Sequence, residues 1–285
     1  MSGMSTDARR RFDGKVVFIS GIGRGQGRQH AVDFATEGAD VIGFDICEDV
    51  PTAHQPMATK DDLAETVRLV ESAGGRIVAT QADVRDHDAV HHALDAGLAE
   101  FGRVDVVVAN AGMAGDMRPL WEVTEEGWRD VVDTNLTGVF HTVKAAAPPM
   151  IAAGNGGSMV LIGSIAAGKG WANLANYVSA KHGLVGLMRV MAIELAPHGI
   201  RANVVSPTNV GTRMFMNDIV AKVFAPELES PSMEEFERAA RWMNLLPRGW
   251  IEPEDISSAV RWISSAEARY VTGHMLPVDA GCLAK

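Results

Sequence analysis

Short apolar segments alternate with helical segments along almost the whole of this 285-residue chain. Seven apolar segments lie at residues 15–20, 39–45, 76–81, 104–109, 158–163, 200–205 and 274–279. Strands that are separated by helices pair in parallel, and right-handed crossovers then place helices on both faces of the sheet. The alternation therefore predicts an α/β fold with a doubly wound, parallel seven-stranded sheet of the Rossmann type.

The domain organisation follows from the same pattern. The alternation shows no break in composition, so residues 14–285 are predicted to form one domain. Residues 1–13 are polar and are predicted to form a disordered N-terminal arm. Two long segments interrupt the alternation, residues 46–62 after the second strand and residues 212–250 after the sixth. Each begins beyond the carboxyl end of a strand, where open α/β sheets bind their ligands.

The overall charge and the cysteine content exclude several classes of protein. The chain has 26 basic and 36 acidic residues, a net charge of −10, which argues against nucleic-acid binding. No apolar run has the length of a membrane-spanning helix, so no membrane association is predicted. The isolated Cys47 and Cys282 predict a cytoplasmic location without a zinc framework. His87 and His91 have the spacing of a helical zinc motif but no third ligand, so no metal is predicted.

A glycine-rich turn at residues 21–27 follows the first strand and opens a helix. Glycines let the backbone approach a pyrophosphate, and the helix N-terminus supplies free N–H groups. Asp45 ends the next strand, 18 residues after Gly27, where a ribose-binding carboxylate is expected. Its charge repels a 2′-phosphate and favours NAD over NADP, although the nearby Arg24 would attract such a phosphate. The weaker alternative is a turn that binds no ligand.

Tyr177 and Lys181 are four residues apart near the start of a predicted helix and therefore share one helical face. A nearby ammonium group favours the tyrosinate, which predicts a lowered pKa for the Tyr177 phenol and a role as general acid or base. Ser164 lies just beyond the fifth strand, 13 residues before Tyr177, and its hydroxyl is suited to bind a substrate oxygen. For the tyrosine–lysine spacing taken alone, the alternative is an ordinary helix face.

These motifs together resemble the short-chain dehydrogenase/reductase family, and the resemblance covers nearly the whole chain. The family's glycine pattern matches the turn at residues 21–27, and its Asp-Val and Asn-Ala-Gly motifs match residues 83–84 and 110–112. Its Pro-Gly after the sixth strand appears here as Pro207-Thr208. The cofactor-binding positions that the resemblance implies, with their immediate neighbours, are Gly21, Gly23, Arg24, Gly25, Gln26, Gly27, Asp45, Ile46, Asp83, Val84, Asn110, Ala111, Gly112, Tyr177, Lys181, Pro207, Val210 and Thr212.

The resemblance also implies a catalytic set of four residues. By it, Tyr177 removes the alcohol proton while hydride passes to the nicotinamide, and Lys181 holds the ribose and lowers the pKa of Tyr177. Ser164 orients the substrate oxygen. Asn135 kinks its helix, in the segment 125–153, and positions a water in a proton relay. Helices near residues 125–153 and 177–196 are those through which the family forms homotetramers.

Within the family, the turn, the Phe44-Asp45 strand end and the insertion 46–62 are similar to the mycofactocin-associated, carveol-dehydrogenase-like subfamily. This similarity implies NAD that is held too tightly to exchange and is reoxidised in place by an external redox carrier. The insertion, which begins beside the ribose-binding acid, is expected to fold over the adenosine; the alternative is a tolerated surface loop. Two other functions stay open, an ordinary dehydrogenase with freely exchanging NAD(P) and a non-catalytic NAD-binding sensor.

By the same resemblance, residues 212–250 form a substrate lid. Methionine and tryptophan adapt to bulky apolar ligands, so a hydrophobic secondary alcohol or ketone, such as a cyclic terpenoid, is the predicted substrate. The predicted pocket residues are Met113, Trp171, Met214, Phe215, Trp242 and Met243. The alternative for each of them is packing within two short helices of the segment.

Overall fold

Seven parallel strands form one sheet in the order β3-β2-β1-β4-β5-β6-β7 in the computed structural model, which describes residues 10–285. Each predicted strand is present, with its ends within two residues of the prediction. The strands are β1 Val16–Ser20, β2 Asp40–Asp45, β3 Ile77–Gln81, β4 Val106–Ala109, β5 Gly157–Ile162, β6 Ile200–Pro207 and β7 Met275–Val278. The doubly wound, single-domain Rossmann fold is therefore confirmed.

The helices begin where the sequence supplies capping side chains. Thr59 and Asp62 form a reciprocal capping box at the start of α2, and the Asp86 carboxylate accepts two backbone N–H groups at the start of α3. The nine α-helices of the described chain are α1 Gly25–Thr36, α2 Lys60–Ser72, α3 His87–Phe101, α4 Glu125–Val132, α5 Gly138–Ala153, α6 Ala175–Leu195, α7 Asp218–Phe224, α8 Met233–Ala240 and α9 Pro253–Ser264. None of the helices in residues 10–285 combines the length and the apolar character needed to cross a membrane.

The hydrophobic core lies on both faces of the sheet because successive strand residues point to opposite sides. In β1, Phe18 packs on the face that α3, α5 and α6 cover, while Val17 and Ile19 pack under α1 and α9. Phe18 also meets Phe44 of β2, with ring centroids 5.6 Å apart. Burial on both faces explains why the strands read as continuous apolar runs rather than as an alternating pattern.

The N-terminal boundary differs from the prediction of a disordered arm over residues 1–13. Residues 1–9 lie outside the described part of the chain, but residues 10–13 are ordered. Phe12 is 3% exposed, and its ring meets Phe34 edge-to-face at 4.7 Å. Arg11 forms an ion pair of 2.6 Å with the buried Glu37. The folded domain therefore begins before residue 14, because an aromatic ring and a cation in the arm find buried partners on α1 and just after it.

The chain order reverses between β1 and β4, which are neighbours in the sheet. The crossovers from these two strands run to opposite sides and leave a crevice at their carboxyl ends. The residues that follow the strands, Gly21 after β1 and Asn110 after β4, therefore meet at this edge of the sheet.

Candidate active site

A cleft of about 340 Å³ lies at the carboxyl ends of β1, β2 and β4. It is lined by the glycine-rich turn, by Asp45, by the segment between β2 and α2, and by the start of residues 212–250. Its volume is within the usual range for small-molecule sites. The topology thus brings motifs that are up to 190 residues apart, such as Gly21 and Gly211, to one place.

The glycine-rich turn is too tight for side chains. A Cβ at Gly27 would lie 1.9 Å from the carbonyl oxygen of Gly21, and a Cβ at Gly21 would lie 2.8 Å from Ala111 Cα. Gly21 also has a φ of +74°, which disfavours other residues. No side chain caps the first turn of α1, which begins at Gly25. Its N–H groups are therefore available to a phosphate group.

Asp45 holds its carboxylate against the backbone of the turn. Its Oδ2 accepts the Gly23 N–H at 2.8 Å, and its Oδ1 accepts the Cys47 N–H at 3.3 Å. The residue is 8% exposed, and burial raises the pKa of Asp45, against the lowering effect of these N–H groups and of Arg24. The carboxylate lines the cleft beside the turn, in the position predicted for a ribose-binding acid.

Arg24 also lines the cleft but is engaged by the segment between β2 and α2. It donates to the carbonyl oxygen of Pro56. Burial, followed by repulsion from Arg213, lowers the pKa of Arg24. The guanidinium groups of Arg24 and Arg213 both border the cleft. The Asp62 carboxylate lies 4.0 Å from the guanidinium group of Arg213. The positive charge on this side of the cleft is suited to an anionic ligand.

The segment of residues 46–59, here called the strap, lines the side of the cleft on which Asp45 lies. Gln55, Met57 and Ala58 line it, next to Asp45. The strap ends at Thr59, because the capping box makes residues 60–62 the first turn of α2. The predicted insertion of residues 46–62 is therefore three residues too long.

The strap also contributes residues that the sequence analysis did not assign to the site. Gln55 is 7% exposed, and Thr52 donates to Asp130 on α4 at 2.6 Å. His54 places both ring nitrogens near carbonyl oxygens of other segments. The only sequence signal for these contacts was that the insertion starts beside Asp45.

Asp83 and Val84 line the cleft beyond β3, as the resemblance implied, and Ile46 lines it beyond β2. Asp83 is paired with Arg85 at 2.7 Å, and the same guanidinium reaches Asp130 at 2.8 Å. These ion pairs, together with the hydrogen bond from Thr52 to Asp130, join the strap, the end of β3 and α4 in one network.

Asn110 ties the ends of β4 and β1 together. Its Nδ2 donates to the carbonyl oxygens of Ser20 at 3.0 Å and Gly21 at 3.1 Å. Its backbone N–H donates to Ser20 Oγ at 3.0 Å. The Asn-Ala-Gly motif continues into the cleft wall, where a Cβ on Gly112 would lie 2.8 Å from Asn135 Oδ1. The Asn110 amide and the absence of a side chain at Gly112 therefore both fix the loop after β4.

Asn135 lies in a π-helical turn, Asp133–Thr137, between α4 and α5, which confirms the predicted break in this helix. Its Nδ2 donates to the carbonyl oxygens of Met113 at 2.8 Å and Val131 at 2.9 Å. Its Oδ1 accepts the Met113 N–H at 3.2 Å. Both side-chain amide protons of Asn135 are therefore donated to backbone carbonyl oxygens, and the contacts with Met113 hold the loop after β4. A role in a water relay stays a prediction.

Tyr177, Lys181 and Ser164 meet where α6 passes the end of β5. Ser164 lies close enough to the Tyr177 hydroxyl to lower the pKa of that phenol as a hydrogen-bonding group. Lys181 Nζ lies 5.6 Å from the centroid of the Tyr177 ring and donates to the carbonyl oxygen of Ile162 at 2.8 Å. A general acid or base is thus paired with a hydroxyl and flanked by an ammonium group, the arrangement that proton transfer to or from an alcohol requires.

The predicted lowering of the Tyr177 pKa is wrong for this structure. Burial raises the pKa of Tyr177, and the hydrogen bond with Ser164 only partly offsets this effect. Burial likewise lowers the pKa of Lys181, to about 8. The physical reason is that both groups are withdrawn from water, while the ammonium is directed to the carbonyl of Ile162 rather than to the phenol oxygen.

The segment after β6 shows how the chain accommodates its departure from the family's Pro-Gly. Pro207 is the last residue of β6 and pairs with Val278 of β7. Thr208 uses the side chain that a glycine lacks, donating from Oγ1 to Asn244 Oδ1 at 3.0 Å. Val210 pairs with Ile251. Thr208 therefore anchors the far end of the lid to the sheet.

Residues 212–250 contain α7 and α8, the two short helices expected there. Met214 lines the cleft, and Thr212 lines it opposite Gly25, with its methyl 3.3 Å from where a Gly25 Cβ would lie. Met113 is fully buried in a cluster against which Tyr177 packs. Trp171 packs with Met243 on a cluster that includes Ile165, the neighbour of Ser164.

Two predicted pocket residues are placed elsewhere. Phe215 stacks on Phe236 at 5.0 Å inside the lid's own small core. Trp242 is 59% exposed, so its predicted place in the pocket wall is wrong. The 3₁₀ turn Arg241–Met243 that follows α8 directs Met243 inward and Trp242 outward. Composition identified the segment but not the orientation of its side chains.

The cleft fits a dinucleotide. Its glycines cradle a space that Cβ atoms would fill, and the first turn of α1 has no side-chain cap. Three buried polar atoms on its lining have no protein partner among the described residues, namely Arg24 Nη1, Gln26 Oε1 and Gln55 Oε1. Residues 10–285 contain no group of three or more His, Cys, Asp and Glu arranged to hold a metal ion.

Comparison with known proteins gives a consistent picture. A family model described as enoyl-(acyl carrier protein) reductase matches residues 21–282. A putative short-chain type dehydrogenase/reductase of Mycolicibacterium smegmatis is 49% identical over 276 residues, 96% of this chain and 99% of that protein. The (−)-trans-carveol dehydrogenase of Rhodococcus erythropolis is 44% identical over 275 residues, 96% of this chain and 99% of that protein.

Among solved structures, the carveol dehydrogenase of Mycobacterium avium in complex with NAD has a TM-score of 0.95 and 49% identity. The match covers 96% of this chain and 99% of that one. The family match and the similarity of these relatives over nearly their whole length lead to one assignment. The chain belongs to the short-chain dehydrogenase/reductase family.

Proposed function

We propose that this protein is an NAD-dependent oxidoreductase that interconverts a hydrophobic secondary alcohol, terpenoid-like as in carveol, and its ketone. The observation that carries the proposal is the grouping of Tyr177 with Lys181, whose Nζ lies 5.6 Å from the phenol ring, and with Ser164, at the end of the sheet that also forms the cleft. NAD, when bound, supplies the acceptor or donor of hydride. The protein supplies the proton transfer, the orientation of the substrate and the exclusion of water.

Tyr177 accepts the hydroxyl proton of the alcohol, and Ser164 donates a hydrogen bond to the same substrate oxygen. The Lys181 ammonium lies close enough to the phenol ring to stabilise the tyrosinate electrostatically as the proton moves. Asn135 acts one step away from the reacting atoms, through the loop after β4 that its side chain holds. We also propose that it positions the water through which the proton leaves.

The preference for NAD rests on Asp45. A buried carboxylate that accepts the Gly23 N–H stands where the adenosine ribose is expected, and a 2′-phosphate there would meet its charge. The relative of Mycobacterium avium was crystallised with NAD, which supports the same choice. Arg24 offsets this repulsion only in part, because one of its guanidinium nitrogens donates to Pro56 in the strap.

The hydrophobic substrate is supported by the side chains near Ser164 and Tyr177. Met113 packs with Tyr177, and Met243 and Trp171 pack beside Ile165. The activity named for the relative of Rhodococcus erythropolis concerns carveol, a cyclic terpenoid alcohol. The test is oxidation of carveol by the purified protein with an artificial electron acceptor. Turnover of small hydrophilic polyols alone would contradict the proposed substrate class.

We further propose that NAD is retained through catalysis and is reoxidised by an external redox carrier, as in the mycofactocin-associated subfamily that the sequence resembles. The strap, which lines the cleft with five of its residues, supports this proposal. Mass spectrometry of the denatured protein, purified without added NAD, tests it. Stoichiometric NAD, together with no steady turnover on added NAD, is expected. Fast multiple turnover on free NAD would instead favour an ordinary dehydrogenase.

A homotetramer is proposed from the outer faces of α5, α6 and α9. Phe140, Val190 and Ile193 are 43%, 50% and 76% exposed, and Trp262 on α9 is 38% exposed. Exposed apolar side chains on the outer faces of helices are typical of subunit contacts. Light scattering of the purified protein measures the mass directly, and Ile193→Asp is expected to reduce it.

A cytoplasmic location is proposed because the protein has two cysteines that are both unpaired.

A further inference from the structure

One imidazole joins three segments that border the cofactor cleft. His54 in the strap places its Nδ1 3.0 Å from the carbonyl oxygen of Ala114 and its Nε2 3.1 Å from the carbonyl oxygen of Met214. Ala114 belongs to the loop after β4, and Met214 lies at the start of the lid. These partners are 60 and 160 residues away in sequence. The strap therefore reaches across the cleft and contacts both of its other walls through this side chain.

Both partners of His54 are carbonyl oxygens, which only accept hydrogen bonds. A neutral imidazole has one N–H group and one lone pair, whereas the imidazolium ion has two N–H groups. Only the imidazolium can donate to Ala114 and Met214 at the same time. Loss of its proton places a lone pair opposite one of the two carbonyl oxygens and removes one of the two contacts.

We propose that His54, as an imidazolium, is a positioning residue that clasps the strap, the loop after β4 and the lid over bound NAD, so that NAD is released faster as His54 loses its proton. This proposal rests on the proposed use of NAD. It names a residue that contributes to the retention of the cofactor, and it states that retention weakens as pH rises. His54 touches neither substrate nor reacting atoms in this scheme; it acts by holding the three walls together.

The remaining contacts of the strap support this role. Thr52 is bound to Asp130 at 2.6 Å on one side of His54, and Pro56 accepts a hydrogen bond from Arg24 on the other. Gln55, the next residue after His54, is 7% exposed and lines the cleft, with its Oε1 lacking a protein partner in the described chain. The position of the His54 ring thus determines where Gln55 stands relative to the cofactor.

Apart from the exposed Glu48, the charged groups of the strap, of the loop after β4 and at the start of the lid are engaged elsewhere. Asp116 is paired with Arg118 at 2.8 Å, and Asp49 accepts the Met57 N–H at 2.8 Å. Arg213, beside Met214, is 4.0 Å from Asp62. Asp130 is bound by Arg85 and Thr52, and Arg24 is bound to Pro56.

Carboxylates and guanidinium groups keep their charges between about pH 5.5 and 7.5, the range in which imidazole groups titrate. Of the remaining groups near the strap, burial raises the pKa of Cys47 to about 11, and burial raises the pKa of Tyr177. Lys181, which has a pKa lowered by burial to about 8, changes charge mainly above this range. His141 also contacts the cleft wall, with its Nδ1 3.1 Å from the carbonyl oxygen of Val84, so a change in NAD release below pH 7.5 is assigned to His54 only if His54→Gln abolishes it.

The experiment measures the rate at which NADH leaves the holoenzyme. The bound cofactor is reduced, its release into excess NAD is followed by fluorescence, and the rate is recorded from about pH 5.5 to 8.5. The wild-type rate is expected to rise about threefold to tenfold between pH 5.5 and 7.5, the effect of one hydrogen bond. In His54→Gln, whose amide has one donor nitrogen and one acceptor oxygen at every pH, the rate is expected to be high at pH 5.5 and nearly constant to pH 7.5.

His92→Ala is the matched control, because His92 is an exposed histidine on α3 whose ring contacts only the Asp88 carbonyl of its own helix. It should keep the wild-type rates and pH profile. His54→Phe removes both contacts and is expected to release NADH fastest. Thermal unfolding of each variant checks that it is folded, and the wild-type and His54→Gln profiles decide the matter if His54→Phe is unstable.

An unchanged pH profile in His54→Gln, or a wild-type rate that does not depend on pH below 7.5, would overturn the clasp. If the purified protein contains no NAD, the Kd of added NADH is measured over the same pH range with the same variants. Absence of alcohol oxidation by the wild type counts against the proposed function alone. The clasp is judged from cofactor release or affinity, so the two failures are distinguishable.

Discussion

The backbone N–H of Gly23 donates to Asp45 Oδ2 at 2.8 Å, so the glycine-rich turn and the acid that we propose for the ribose form one unit. This contact orients the carboxylate and leaves its second oxygen to the cleft and to the more distant Cys47 N–H. A change at Asp45 is therefore expected to affect cofactor choice as well as affinity.

Asp45→Asn keeps an acceptor for Gly23 but removes the charge. The Kd for NAD should rise about tenfold to a hundredfold, the range for a charge-assisted hydrogen bond, and the preference over NADP should fall. Titration with both cofactors measures this, using protein stripped of bound NAD. Asp49→Asn, in the same strap, should leave the preference intact. A Kd for NAD that does not change would refute the assignment of Asp45 to the ribose.

Tyr177→Phe removes the hydroxyl that exchanges the substrate proton. Its kcat should fall about a hundredfold to ten-thousandfold, the usual contribution of a general acid or base, while bound NAD is kept. Tyr270 is the only other tyrosine and is 89% exposed, so Tyr270→Phe is a control of the same chemical change. If the protein were a non-catalytic sensor, Tyr177→Phe and Tyr270→Phe would respond equally to NAD. The wild type would then have no activity for Tyr177→Phe to remove.

Lys181 should make stability depend on pH. Burial lowers its pKa to about 8 from the 10.5 of an unperturbed lysine, so the unfolded chain binds the proton more tightly. The free energy of unfolding should then increase as pH rises from 8 to 10.5, by roughly 3 kcal/mol in total. Lys181→Met removes this contribution. The difference between wild type and Lys181→Met, from urea unfolding of cofactor-free protein at several pH values, should follow this slope; a constant difference argues against it.

His30 on α1 should sensitise the protein to acid. It is fully buried, neither ring nitrogen has a partner in residues 10–285, and burial lowers its pKa to about 3. Its contribution to stability is complete above pH 6.5 and is lost as pH falls towards 3, by up to about 4 kcal/mol. His30→Leu should therefore unfold at lower pH than wild type. His198→Leu changes an exposed histidine and should unfold at the same pH as the wild type.

Met243 and Trp242 are neighbours with opposite exposure, 6% and 59%. Met243→Ala opens space beside Ile165, next to Ser164, and is expected to raise the KM for a terpenoid alcohol about tenfold without loss of NAD. Trp242→Ala removes a larger side chain from the surface and should leave the KM within about twofold. Steady-state kinetics with an artificial acceptor compares them. The reverse order of effects would mean that the wall of the substrate pocket lies on the outer side of the lid.

Much of the fold and of the site is determined by relationships that are local in sequence. Apolar runs separated by helical segments lead to parallel strands, whose carboxyl ends must share an edge. Glycines at residues 21–27 and an acid at the end of the next strand mark the cleft because each position follows directly from a strand end. Tyr177 and Lys181 meet because their spacing puts them on one face of α6.

Tertiary structure decided what depends on burial and on distant partners. Phe12 became part of the domain by packing on Phe34, and burial reversed the expected direction of the Tyr177 pKa shift. His54 was one polar residue in an insertion until the fold brought it between two carbonyl oxygens, 60 and 160 residues away. Desolvation and contacts of this kind have no periodic signature, because they arise only when separate segments exclude water together.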